Sequence, residues 1–336
     1  MKTIELGTTG ELVSRIALGA MGMGTDSDDV ESFALLDRFL DDDGAFIDTA
    51  DCYAWWGAQG TNGGQSEELL GRWFARTGAR DRVFLSTKGT ARLTDPAEVW
   101  PAGRQFPDWG LARQRYVGAG ARVLRESLEG SLRRLGTDRI DLYYVHVDDR
   151  STPLEETLET LAGFVAEGKV RYLGWSNVRT WRLERIRQLC AQHGWPAPVA
   201  LQQQHTYLQR PTGARNASIV DDEQLDYLAE HPDLTLVAYS PLLKGLYDAP
   251  AGEREKIWIY EMYAGEAAQA RLAAVTRVAA EVGALPSQVV LAWMMAQESP
   301  RIIPLIGTTK VSRYEQAAAA LDLPLSDAHL AELENA

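Results

Sequence analysis

The sequence predicts one (β/α)8 TIM barrel spanning residues 1–336, and three observations carry that expectation. Short apolar runs alternate with amphipathic helical stretches through the whole chain. The runs are apolar enough along their length to be parallel strands buried on both faces. Chemistry-bearing side chains stand at the same, C-terminal, ends of successive runs, and a (β/α)8 barrel places its active site at that mouth.

The units follow in order. A strand at 14–18 precedes a helix at 30–40, and strand 46–48 precedes helix 67–77. Strand 83–87 precedes helix 118–135; strand 140–145 precedes helix 154–167. Ser151-Thr152-Pro153 introduces that last helix as a cap followed by a first-turn proline. Strand 170–175 precedes helix 180–193, and strand 199–203 precedes a helix near 222–230. Strand 234–239 precedes helices at 267–282 and 287–297; strand 302–306 precedes helix 312–321. Residues 3–6 and 11–13, joined through Gly7-Thr8-Thr9-Gly10, form an N-terminal β-hairpin that plugs the barrel floor. Three long irregular loops, 54–65, 90–115 and 242–265, hang over the C-terminal face. Loops of that length in a compact domain are usually functional. Trp55, Trp56, Trp100, Phe106, Trp109, Trp258, Tyr260 and Tyr263 within them either line a pocket or pack the loops down.

Composition narrows the function. Apolar residues make up 45% and charged residues 24% of the chain, ordinary proportions for a globular enzyme. A net charge of −13 argues against nucleic-acid or membrane-surface partners. Cys52 and Cys190 are too few for a disulfide framework or a cysteine metal site. The start of the chain lacks the apolar core of a signal peptide, and no run reaches the length of a membrane span, so the expected location is cytoplasmic. The oligomeric state is not legible.

Several sites are unsupported. Gly19-Ala20-Met21-Gly22-Met23-Gly24 does not match a dinucleotide fingerprint, and no phosphate-binding P-loop occurs. The histidines show no metal-ligand spacing, so no metal is expected. There is no nucleophile elbow for a serine hydrolase.

What remains is Asp48, Tyr53, Lys88 and His146. Lys88 is one of only six lysines and the only one ending a strongly apolar run. Each of the four has an ordinary explanation alone: a cap, a pocket aromatic, a snorkelling amine, a satisfied core imidazole.

Together they sit in a longer pattern. Gly44-Ala45-Phe46-Ile47-Asp48-Thr49-Ala50-Asp51-Cys52-Tyr53 is followed by Ser66-Glu67-Glu68-Leu69-Leu70-Gly71-Arg72 and by Ser86-Thr87-Lys88. Then come Asp138-Arg139-Ile140-Asp141-Leu142-Tyr143-Tyr144-Val145-His146 and Gly168-Lys169-Val170-Arg171-Tyr172-Leu173-Gly174-Trp175-Ser176-Asn177. Tyr239-Ser240-Pro241-Leu242 and Gly307-Thr308-Thr309-Lys310 complete it. In this order the motifs resemble the aldo-keto reductase superfamily over nearly the whole chain.

The resemblance implies NADPH-dependent reduction of an aldehyde or ketone to an alcohol, or the reverse oxidation. Tyr53 is then the general acid, Lys88 a cation that tunes the phenol, Asp48 the partner of Lys88, and His146 the group that orients the substrate oxygen. It further implies Ser176, Asn177 and Gln202 at the nicotinamide carboxamide and Tyr239 stacked on the nicotinamide ring. Ser240 and Leu242 fall along the pyrophosphate, with Gly307, Thr309 and Arg313 at a 2′-phosphate. Arg313 at a helix start suits that phosphate, favouring NADPH over NADH. Met21, Trp55, Trp56 and Trp109 are candidate substrate contacts for a sugar-like or aromatic carbonyl, with Gln59, Asp148 and Asp149 as possible polar partners.

The chain departs from the family at three places. Gln316-Ala317 replaces a frequent Glu-Asn whose asparagine bonds adenine, His205-Thr206 replaces a frequent Tyr-Asn, and the insertion at 55–64 is long. An alternative is an NADPH-binding regulatory subunit resembling potassium-channel β subunits, with little turnover. Members that reduce carbon–carbon double bonds often carry Glu in place of the tetrad histidine, so His146 argues against that chemistry.

Overall fold

A computed structural model describes residues 1–57, 61–100, 107–210 and 216–336; Gln59 and Phe106 lie outside the described residues. Strands β1 (Thr3–Glu5) and β2 (Leu12–Ser14) form an antiparallel hairpin. Eight parallel strands then close a barrel: β3 (Ala17–Gly19), β4 (Phe46–Asp48), β5 (Phe84–Gly89), β6 (Ile140–Val145), β7 (Val170–Ser176), β8 (Pro198–Gln204), β9 (Thr235–Tyr239) and β10 (Ile302–Gly307). They pair in chain order, and β10 pairs with both β9 and β3.

The predicted (β/α)8 architecture is therefore observed. Strand residues alternate between two cores. Phe46, Phe84, Leu142, Tyr144, Ala200, Val237 and Ile303 fill the interior. Ile47, Leu85, Tyr143, Val145, Leu173 and Leu236 pack outward against the helices. Burial on both faces explains the unbroken apolar runs. Tyr144 and Gly174 are register partners on β6 and β7. A Cβ at Gly174 would stand 2.4 Å from the Tyr144 ring, so this interior layer requires glycine.

The hairpin plugs the floor. Leu6 and Val13 are fully buried in the interior cluster. Gly7 N–H donates to Thr235 Oγ1 at 2.7 Å, and the Gly7 carbonyl accepts from Arg301, both partners standing where β9 and β10 begin.

Several elements differ from the sequence expectation. The strand expected at 14–18 divides: Ser14 ends β2, accepting N–H bonds from Ala45 and Phe46, and the barrel strand starts at Ala17. Pro153 is the N-cap residue of helix Leu154–Ala166 rather than its first turn, and Ser151 and Thr152 donate their hydroxyls to Asp149 instead of capping. The loop at 242–265 holds three short 3-10 turns whose Leu243, Leu246, Ile259 and Tyr263 form a core with helix Glu266–Val282. A further helix, Asp327–Glu334, follows the last unit; Ser326 caps it and Leu333 is buried. Among the described residues, no single helix is long and apolar enough to cross a membrane.

Candidate active site

β4 and β5 run side by side, and their ends bring Asp48 and Lys88 together inside the barrel mouth. Lys88 is fully buried, and its three ammonium protons all find acceptors: Asp48 Oδ2 at 2.5 Å, the Thr49 carbonyl at 2.8 Å and the Tyr53 hydroxyl at 3.1 Å. An ammonium has three donors and no acceptor, so none is left over. Asp48 is equally well served, its Oδ1 accepting from Ser86 Oγ at 2.6 Å and Gln202 Nε2 at 3.0 Å.

Tyr53 accepts from Lys88, which leaves its own O–H free to donate. Burial, with the Asp48 carboxylate next, holds the phenol well above its ordinary range. The phenol therefore keeps its proton at neutral pH, with the Lys88 ammonium against its oxygen.

His146 follows β6. Its N–H donates to the Gly89 carbonyl, and its own carbonyl accepts from Asn177 Nδ2 at 2.7 Å. The imidazole lies edge-on to the Tyr53 ring, with centroids 5.5 Å apart. Burial, then the Lys88 cation, pushes it well below its usual pKa, so the ring is neutral. Cys52 Sγ stands 3.5 Å from its Nδ1. The tetrad proposed from sequence is thus gathered in one place.

Ser176, Asn177, Gln202 and Tyr239 gather beside it at the ends of β7, β8 and β9. Asn177 adopts a left-handed φ of 54°, and its side chain bonds Ser176 Oγ and the Tyr239 hydroxyl, each at 3.0 Å. Ser240, also left-handed at φ 53°, and Leu242 lie just beyond β9. Gly307, Thr309 and Arg313 lie at the end of β10 and the start of helix Val311–Ala318, with Arg313 exposed. Ala317 is buried against the barrel helices, on the core side of that helix.

Gln203 was not singled out from sequence. Its Oε1 accepts the Asn177 N–H at 2.6 Å, while its amide donates to Val178, Ala217 and Gln224, which fixes the turn that carries Asn177. Three consecutive glutamines on one strand, facing alternately in and out, were the available signal. The unusual Thr206 has a structural use: it bonds the Pro241 carbonyl and the Tyr247 hydroxyl, each at 2.6 Å, tying β8 to the loop after β9.

Trp56 and Trp109 stand at the mouth with ring centroids 6.0 Å apart, and Trp56 meets Tyr53 edge-on at 5.7 Å. Met21 packs partly buried against the same cluster. Trp55 is 1% exposed and lies beneath these rings as packing, not on the rim. Asp148 and Asp149 are engaged elsewhere. Asp148 pairs with Arg150 and Arg182; Asp149 accepts from Ala119, Ser151 and Thr152.

The model of the aldo/keto reductase family matches residues 15–336. The chain belongs to that family. It is 32% identical to an uncharacterized oxidoreductase, YrpG, of Bacillus subtilis (strain 168), over 97% of this chain and 92% of that protein. It is 31% identical to norsolorinic acid reductase stcV of Emericella nidulans, over 96% of this chain and 78% of that one. A crystal structure of a thermostable aldo-keto reductase, Tm1743, with the inhibitor epalrestat superposes with a TM-score of 0.73 at 27% identity, covering 100% of this chain and 99% of that one. The protein is accordingly an oxidoreductase of a family that reduces small carbonyl compounds and generally uses NAD(P)H.

Proposed function

We propose that this aldo-keto reductase uses NADPH to reduce an aromatic aldehyde or ketone, with Tyr53 as the proton donor. The observation that carries the reading is the Lys88 bond to the Tyr53 oxygen, which leaves the phenol proton free to be given away. A bound nicotinamide cofactor supplies the hydride. The neutral His146 and the Tyr53 hydroxyl then hold the carbonyl oxygen from two directions, and the alkoxide forming there takes the phenol proton. Lys88 stabilises the phenolate left behind, and Asp48 holds Lys88 in place. In the reverse oxidation the phenolate takes the proton back.

The donor set at the mouth fits the cofactor. Ser176, Asn177 and Gln202 offer hydroxyl and amide groups for a carboxamide, and Tyr239 offers a flat ring for the nicotinamide. Ser240 and Leu242 border the pyrophosphate path. Gly307 and Thr309 lead to Arg313, whose exposed guanidinium at a helix start suits a 2′-phosphate and favours NADPH.

The aromatic substrate class rests on Trp56, Trp109 and Met21 at the entrance. A sugar would need polar partners, and Asp148 and Asp149 are already committed to arginines and the adjoining turn. Tryptophan-fluorescence titration should give tighter binding of NADPH than of NADH, and Arg313→Ala should erase most of that difference, a loss of about tenfold. Aromatic carbonyls should outrun sugars of similar size. Preference for NADH, or faster turnover of sugars, would overturn the corresponding part of the reading.

A further inference from the structure

We infer that Cys52 is a positioning residue for the reaction: its thiol donates to Nδ1 of His146 and holds the imidazole in the tautomer that carries its proton on Nε2. The inference rests on the tetrad reading above and adds a residue to it.

The contact joins two fixed points. On one side, the Cys52 backbone is gripped by Gly63, where a Cβ would stand 2.4 Å from the Cys52 carbonyl carbon. The Cys52 carbonyl also accepts from Trp55 N–H at 3.0 Å. On the other side, the His146 backbone is tied to Gly89 and Asn177. What remains free is the orientation of the ring and the placement of its single proton. Among the described residues, Cys52 Sγ is the only hydrogen-bonding partner recorded for the ring, at 3.5 Å from Nδ1.

The direction of the bond follows from chemistry. A thiol sulfur is a poor acceptor, whereas a neutral imidazole nitrogen is a good one, so S–H to Nδ1 is the favoured sense. The thiol keeps its proton, because burial and then the Asp51 carboxyl push it well above its ordinary range. With Nδ1 accepting, the ring proton must be on Nε2. That nitrogen then donates to the same carbonyl oxygen that Tyr53 protonates. In the other tautomer Nε2 would face that oxygen with a lone pair, and one of the two donors would be lost. Among the described residues, the Lys88 cation, the Tyr53 phenol and the Asn177 amide also stand near His146, and none of them bonds Nδ1.

The test begins with the unaltered protein labelled with 15N-histidine. Long-range 1H–15N correlation spectra report which nitrogen of a neutral imidazole bears the proton, and His146→Ala identifies the resonance among the five histidines. Protonation on Nε2, with Nδ1 shifted by an accepted hydrogen bond, is expected; a proton on Nδ1 would overturn the inference whatever the activity. Two variants then separate donation from packing. Cys52→Val fills the space without a donor and should lose the Nδ1 shift and about fivefold in kcat, with cofactor affinity unchanged. Cys52→Ser keeps a donor and should recover most of both. If Val and Ser behave alike, Cys52 only packs. Should Tyr53→Phe retain full turnover, the tetrad reading fails instead, and the spectra still decide the tautomer.

Discussion

Asp48 ends strand β4 and Asp51 follows three residues later, both 1% exposed, yet their surroundings are opposite. Asp48 faces the barrel mouth and accepts from Lys88, Ser86 and Gln202. Asp51 lies behind the strands, where among the described residues neither oxygen has a well-formed hydrogen bond and Ser127 offers only a weak one. Its neighbour Glu67 takes the nearby donors, accepting from Thr87 at 2.5 Å and Arg134 at 2.8 Å. Burial, then the Glu67 charge, raises Asp51 to about 7; Ser127, Arg92 and Arg134 offset only part of that rise. Charge in a protein interior follows the supply of donors, not the residue type. One carboxylate anchors a cation, and the other is about half protonated at pH 7.

The largest effect should come from unpairing Asp48. Lys88→Met leaves a buried carboxylate without its counter-ion, a change that typically costs about 3–5 kcal/mol of stability. Turnover should fall about a hundredfold or more as the phenolate loses its cation. Urea unfolding monitored by tryptophan fluorescence reads the first effect; an unchanged midpoint would mean that the pair does not hold the strand ends.

Asp51→Asn should act through pH. Asp51 binds a proton in the folded chain up to about pH 7, whereas the unfolded chain releases it at the ordinary value of 3.8. Stability contributed by this group is fully present below the unfolded pKa and falls as pH rises toward 7, at about 1.4 kcal/mol per pH unit. Asparagine cannot ionise, so the variant should gain on the native protein as pH rises from about 4 to about 7. A constant difference between the two unfolding curves across that window would show that Asp51 is ionised throughout.

A smaller effect is expected at Ser86, which supplies one of the bonds to Asp48 Oδ1. Ser86→Ala should cost about 1–2 kcal/mol and leave turnover within a few-fold, since Gln202 still serves that oxygen. A collapse of turnover would place Ser86 in the chemistry itself.

The same contrast marks what was legible in the sequence. Asp48, Lys88 and His146 each follow an apolar run, so parallel strands necessarily deliver them to one mouth. Register does the rest, with Asp48 opposite Ser86 and Lys88 opposite Tyr144. The state of Asp51 depends on Glu67, carried by helix Gln65–Thr77, taking Thr87 of β5 and Arg134 of helix Ala121–Leu135 as its donors, and no local pattern records that. Gln203 was hidden for the same reason, since its partners lie on other elements. The role of Trp55 was misplaced because spacing cannot tell the upper from the lower layer of an aromatic cluster. Helix Asp327–Glu334 was missed because only Leu333 anchors it deeply.

The measurement that tests the central claim most directly is NADPH oxidation by Tyr53→Phe, paired with NADPH binding by fluorescence. Removing only the hydroxyl should lower carbonyl reduction about a thousandfold or more while NADPH affinity stays within a few-fold of the native value. Turnover that survives within a few-fold would show that another group gives the proton, and the assignment of Tyr53, with the roles of Lys88 and Asp48 built on it, would be wrong.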